Sequence, residues 1–93
     1  MDQMDDDQAA LRELGRRLRH HRVEIGDPSL EEVGAAVGMS QSILSAYEKG
    51  KVWPPIVKLR RLAEFYGTTP ADLLSSDWPT RASVNSEPAD QAA

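Results

Sequence analysis

The sequence predicts an all-α fold, a compact bundle of five short helices followed by a disordered C-terminal tail. Three observations predict it. No segment alternates apolar and polar residues with the period of two that a half-buried strand requires. Gly26, Gly38, Gly50 and Gly67 each follow a helical pattern, where a residue without a Cβ ends a helix in the left-handed region. The chain has 93 residues and no cysteine, so neither a disulfide nor a thiolate zinc site staples its small core. Packed helices must hold it together.

The first helix is expected from about Asp7 to Ile25, with Leu11, Leu14 and Leu18 along one stripe. The second is expected from Leu30 to Val37. Ser29-Leu30-Glu31-Glu32 opens it as a capping box, in which the Ser hydroxyl and the Glu carboxylate satisfy each other's backbone N–H groups. The third runs from Gln41 to Lys49, capped by Ser40, with Ile43, Leu44 and Tyr47 inward. Pro54-Pro55 blocks helix beyond it. The fourth spans Ile56 to Tyr66 and aligns Ile56, Leu59, Leu62, Ala63 and Tyr66. The fifth, Pro70 to Leu74, starts at a Thr69 cap, with proline at its first position and Asp72 near its positive end.

The organisation expected is an acidic flexible N-terminus over residues 1–6, a folded domain over 7–74 and a disordered tail over 75–93. Only Gly38-Met39-Ser40 joins the second and third helices. So short a link forces a steep crossing, the geometry of a helix-turn-helix, which presents its second helix to a DNA major groove. Val33, Val37, Met39, Leu44 and Tyr47 are apolar where such a unit must bury side chains, and Gly34 is small where its helices come closest.

The stretch from Leu14 to Leu74 resembles the lambda-repressor-like helix-turn-helix family, also called the XRE or Cro/C1 type. The resemblance lies in LGRRLRHHR, in SLEEVGAAVGMSQSILSAYEKGK and in LRRLAEFYGTTPADLL, about two-thirds of the chain. It implies a five-helix domain that binds double-stranded DNA by sequence, most often as a dimeric transcriptional repressor. It places Gln41, Ser42, Ser45 and Ala46 on the base-reading face, with Ser40 and Lys51 at phosphates. Gln41 suits an adenine edge, the serines donate or accept, and Ala46 offers a methyl. It matches Arg22 and Glu48 to the family's internal ion pair between the first and third helices. Three departures stand out. Leu30 replaces a phosphate-touching Gln, Gly34 replaces Ala, and the VEIGDPS loop is one residue longer.

The net charge of -4 is uneven. Residues 1–10 carry four Asp and no cation, and residues 75–93 carry three acids against Arg81, whereas residues 11–74 carry ten Lys and Arg against eight acids. A basic middle between acidic ends is compatible with an anionic partner. Arg16 and Arg17 are further candidates for phosphate contacts, while Arg12 and Arg19 read equally as a solvated face. Lys58, Arg60 and Arg61 are expected on the outer face of the fourth helix. His20 and His21 diverge around the first helix and cannot share a metal; packing is the expected role of His21. Trp53 is expected to pack on the fourth helix, with a DNA or partner contact as the alternative. Trp78 is expected to dock on its own domain or on a second copy.

No Ser/His/Asp arrangement, glycine-rich phosphate loop or metal-ligand cluster occurs in the sequence, so neither an enzyme nor a metal or other cofactor is expected. No apolar run approaches the ~18 residues of a membrane span, and the acidic start is unlike a signal peptide. A cytoplasmic, nucleoid-associated protein with no membrane contact follows as the expectation. The function expected is that of a transcriptional regulator, probing DNA as a homodimer. The alternative is a protein-interaction module, a regulator or an antitoxin, in which the helix-turn-helix domain binds a protein partner; the C-terminal tail is a further candidate site for such a partner.

Overall fold

The computed structural model describes residues 3–75, with side chains from Asp6 onward. Five helices make up the chain in this range: α1 Gln3–Glu24, α2 Leu30–Val37, α3 Gln41–Glu48, α4 Ile56–Tyr66 and α5 Pro70–Leu74. No strand occurs among the described residues. The tail beyond Ser75, with Trp78, lies outside them.

Caps and turns fix where the helices start and stop. Glu32 N donates to Ser29 Oγ at 3.1 Å and Ser29 N to Glu32 Oε1 at 2.9 Å, so both halves of the α2 capping box form. Ser40 Oγ accepts from Ile43 N and Thr69 Oγ1 from Asp72 N, which opens α3 and α5 in the same way. At the other end of α2, Gly38 takes φ 75°, and Gly38 N and Met39 N both donate to Gly34 O. The last carbonyls of the helix are satisfied there as the chain reverses. Gly26, Gly50 and Gly67 also have positive φ, at the predicted helix ends.

Three boundaries differ from the sequence reading. α1 begins at Gln3 rather than near Asp7, and it ends at Glu24, one residue before Ile25. Asp6 and Asp7 thereby sit in its first turns, where the positive end of the helix favours carboxylates. α3 ends at Glu48, one residue early, with Lys49 as its cap.

The core is one cluster. Leu14 and Leu18 of α1 meet Val33 and Val37 of α2, Leu44 and Tyr47 of α3, Leu59, Leu62, Ala63 and Tyr66 of α4, and Leu73 of α5. Each large aliphatic side chain so buried contributes about 1.5–3 kcal/mol. Ile56, grouped with that stripe by its spacing, is 64% exposed, because the first turn of α4 projects beyond the core. Trp53 is 44% exposed; packing covers it only in part. His21 is half-buried and its ring stacks on Tyr66 with centroids 6.0 Å apart.

Two glycines set how closely the helices approach α3. A Cβ on Gly15 would lie 2.7 Å from Tyr47 O and collide with Glu48 O, so α1 rests on the backbone of α3. A Cβ on Gly34 would collide with Met39 O at the α2–α3 turn. Gly34 therefore trades helix propensity for a tight crossing, which accounts for glycine at a position where the lambda-repressor-like pattern has alanine.

Candidate nucleic-acid interface

The inner side of α3 is anchored by Leu44 and Tyr47, 3% and 2% exposed, and Ile43 packs at the core's edge. Its outer side follows by helical phase. Gln41 and Ser42 are exposed in the first turn, and Ser45 and Ala46 are half-buried one turn on. The four expected base-reading residues thus share one side of a rigidly held helix. Ser40 is exposed, and its oxygen is engaged in the cap while its hydroxyl proton stays free to donate. Lys51 is exposed just past α3, with its backbone N donating to Ala46 O at 3.0 Å.

Arg22 locks the far end of α3 to α1. It donates to both carboxylate oxygens of Glu48, at 2.8 and 2.9 Å, and also to Asp27 Oδ1 at 3.2 Å and Pro28 O at 3.0 Å. Hydrogen bonding to Glu48 raises the Arg22 pKa against the pull of burial, so its charge is permanent. One guanidinium therefore fixes α1, the α1–α2 loop and α3 to each other.

The adjacent cations Arg16 and Arg17 have opposite fates. Arg16 is exposed and bonded to Glu13 one turn earlier, compatible with reaching a phosphate. Arg17 is not. It is 3% exposed, donating Nη1 to Leu73 O at 2.7 Å and Nε to Glu13 Oε2 at 3.0 Å. The phosphate role expected of Arg17 is corrected accordingly: the guanidinium faces inward and satisfies a carbonyl at the end of α5. Burial would raise the pKa of Glu13, but hydrogen bonds from Arg16 and Arg17 bring it below the usual value. Arg61, though exposed, also reaches a helix end, donating to Val37 O at 3.2 Å at the end of α2.

Sequence reasoning left Lys49 and Gly15 unassigned and read Arg19 equally as a solvated face. Arg19 and Lys49 are exposed and, with Arg16, Arg22, Leu30, Ser45 and Glu48, line a groove of about 450 Å³ between α1 and α3. The 16, 19, 22 spacing, each step slightly less than one 3.6-residue turn, was the available signal for a cationic stripe. Gly15, whose lack of a side chain brings that stripe against α3, is recognisable only from the packing. No cluster of His, Cys, Asp and Glu among the described residues is placed to hold a metal ion. No described helix is long and apolar enough to cross a membrane.

Comparisons with known proteins agree with the helix-turn-helix fold. The sequence model of a family described as a helix-turn-helix domain matches residues 13–75, from the second half of α1 through α5. The chain is also similar to the cryptic phage CTXphi transcriptional repressor RstR of Vibrio cholerae, 39% identical over 59 residues, or 63% of this chain and 52% of that protein. The chain spans about half the length of that curated relative. No solved structure matches it.

Proposed function

The chain belongs to the helix-turn-helix domain family, and from that premise we propose that it binds double-stranded DNA by sequence as a transcriptional regulator, a repressor acting as a homodimer. The observation that carries this is the outer side of α3: Gln41, Ser42, Ser45 and Ala46 lie together on a helix whose opposite side is sealed into the core. An α-helix with one polar side free fits the major groove. Gln41 supplies the bidentate amide for adenine, Ser42 and Ser45 supply hydroxyls, and Ala46 supplies a methyl for thymine. Ser40, Lys51 and Arg16 hold flanking phosphates and set the register. The binding unit is the domain ending at Leu74, acting in the cytoplasm at the nucleoid, without cofactor or membrane.

So small a reading face supports the dimer, since two copies on a palindrome double the interface and gain effective concentration. The name of the similar phage protein supports repression.

The test is selection from a random duplex pool by the purified protein at ~0.15 M salt, followed by sequencing. The expected result is an enriched palindrome with half-sites about one turn, ~10 bp, apart. Retention at low salt without enrichment would overturn sequence-specific binding and favour a protein-interaction module.

A further inference from the structure

A pocket of about 310 Å³ lies between α1 and α5. Ala9, Ala10 and Leu14 of α1 and Leu73 and Leu74 of α5 supply its apolar lining. Part of that lining faces solvent: Ala9 and Ala10 are exposed, and Leu74 is 49% exposed. The bond from Arg17 Nη1 to Leu73 O holds the two helices together beside it.

One acceptor borders this apolar surface. Glu13 Oε1 accepts from Arg16 Nε and Nη2, and Glu13 Oε2 accepts from Arg17 Nε. A carboxylate offers about four acceptor sites, so Glu13 has room for one more donor. The pocket therefore suits a flat apolar body that carries a single N–H at its edge. The indole of tryptophan has that chemistry.

The chain delivers such a group to the same place. Ser75 ends α5 in an extended conformation, with φ -63° and ψ 141°, and is itself part of the pocket lining. Beyond it the sequence runs on to residue 93, and Trp78 is the only aromatic residue there. Three residues of extended chain reach at most ~10 Å, which keeps Trp78 close to the pocket. Pro79 disfavours helix at Trp78, so α5 does not carry the indole away by continuing. A tether this short gives an effective concentration of about millimolar order, which a second copy's Trp78 does not match in dilute solution.

We propose that Trp78 docks in the α1–α5 pocket of its own chain, with its indole on Ala10 and Leu74 and its N–H directed at Glu13. The contact clasps the start of the C-terminal tail to the domain and ties the end of α5 to α1. It does not depend on DNA.

The test reads the fluorescence of the full chain carrying Trp53→Phe, in which Trp78 is the only tryptophan. Emission maximum and acrylamide quenching are measured across a dilution series. In this background Ala10→Gln and Leu74→Gln each put a polar side chain in the pocket at an exposed position. Glutamine is a good helix former, and far-UV circular dichroism checks that each variant is folded. Ala36→Gln is the control, exposed on α2 and outside the pocket. The expected result is a blue-shifted emission, with quenching several-fold weaker than in the urea-unfolded chain at every dilution. Ala10→Gln and Leu74→Gln shift the emission to the red and raise the quenching, and Ala36→Gln changes neither. Quenching as strong in the folded chain as in urea overturns the proposal. Shielding that both pocket variants leave intact places Trp78 elsewhere and overturns the pocket assignment. Shielding that disappears on dilution makes the occupant a second copy's tail and overturns docking within one chain.

Discussion

Arg22 and Glu48 are joined by two parallel hydrogen bonds, Nε to Oε2 at 2.8 Å and Nη2 to Oε1 at 2.9 Å, across the α1–α3 contact. The side chains are 12% and 10% exposed, so neither charge is well solvated. Removing Arg22 strands the Glu48 carboxylate, and removing Glu48 leaves Arg22 only the exposed Asp27 carboxylate and Pro28 O. Arg22→Ala or Glu48→Ala is expected to cost about 3 kcal/mol in urea unfolding. The double variant Arg22→Met/Glu48→Leu is expected to cost less than either single change, because no charge is left without a partner. A double variant as costly as the sum of the singles would show that the pair is not coupled.

Gly15 is the second requirement of the same contact. Alanine is the better helix former by roughly 1 kcal/mol. A Cβ here meets Tyr47 O at 2.7 Å, however, and backbone yields less readily than a flexible side chain. Gly15→Ala is therefore expected to destabilise the domain by about 1–3 kcal/mol. Gly26→Ala is a useful contrast, since a Cβ there meets nothing within 4 Å and only its φ of 113° opposes the change. A Gly15→Ala protein as stable as wild type in thermal melts would show that α1 can back away from α3 at no cost.

These two residues also mark what the sequence can and cannot disclose. Local signals were legible. The caps at Ser29, Ser40 and Thr69, the left-handed glycines and the three-residue turn each act over a few positions, and all form. The apolar residues around the turn, Val33, Val37, Met39, Leu44 and Tyr47, are buried for the same reason. Long-range duties were less legible. Arg17 bonds Leu73 O and Arg61 bonds Val37 O, and nothing local to either arginine names its carbonyl. The three-residue step from Leu14 to Arg17 did put Arg17 beside the buried stripe, a signal outweighed by its charge. Ile56 was misleading in the opposite sense, because periodicity describes a face and not how far the core extends along it.

Arg17 and Lys51 should separate stability from binding. Arg17 satisfies a buried carbonyl and the Glu13 carboxylate, so Arg17→Ala is expected to lose about 1–3 kcal/mol of stability. Its effect on DNA affinity should vanish once the unfolded fraction is allowed for. Lys51 is exposed and holds no side-chain hydrogen bond among the described residues. Lys51→Ala should leave the melting temperature within about 2–4 °C (~0.5 kcal/mol) while weakening binding to every duplex. Equal losses of stability in the two variants would contradict this division.

His21 makes stability depend on pH. Burial, aided by the charge of His20, lowers its pKa below 6.5, while Glu24 and Asp72 oppose that shift only in part. The folded state therefore resists protonation more than the unfolded state. Its contribution is fully present above 6.5 and is lost as the pH falls through the lower folded value. Urea midpoints measured from pH ~7 to ~5 should fall in wild type, with a smaller fall in His21→Gln. The ring resonances of His21 should titrate below those of an unfolded-chain histidine. A pKa at or above 6.5 by NMR would remove His21 as the cause.

Gln41 should carry most of the base discrimination, and the reason is the poverty of its neighbours. Ser42 and Ser45 offer hydroxyls that donate or accept equally well, and so distinguish bases weakly. Ala46 offers only a methyl. Gln41 alone among the four presents a donor and an acceptor in fixed relation, the pattern that matches the N6 and N7 edge of adenine. It is exposed in the first turn of α3, directly after the Ser40 cap that orients that turn. Gln41→Ala is expected to cost about 1–3 kcal/mol on the selected duplex and almost nothing on an unrelated one. Repeating the pool selection with the variant should relax one position in each half-site and leave the others and their spacing intact. Equal weakening on both duplexes would make Gln41 a backbone contact, and no weakening on either would move the reading side of α3 away from it.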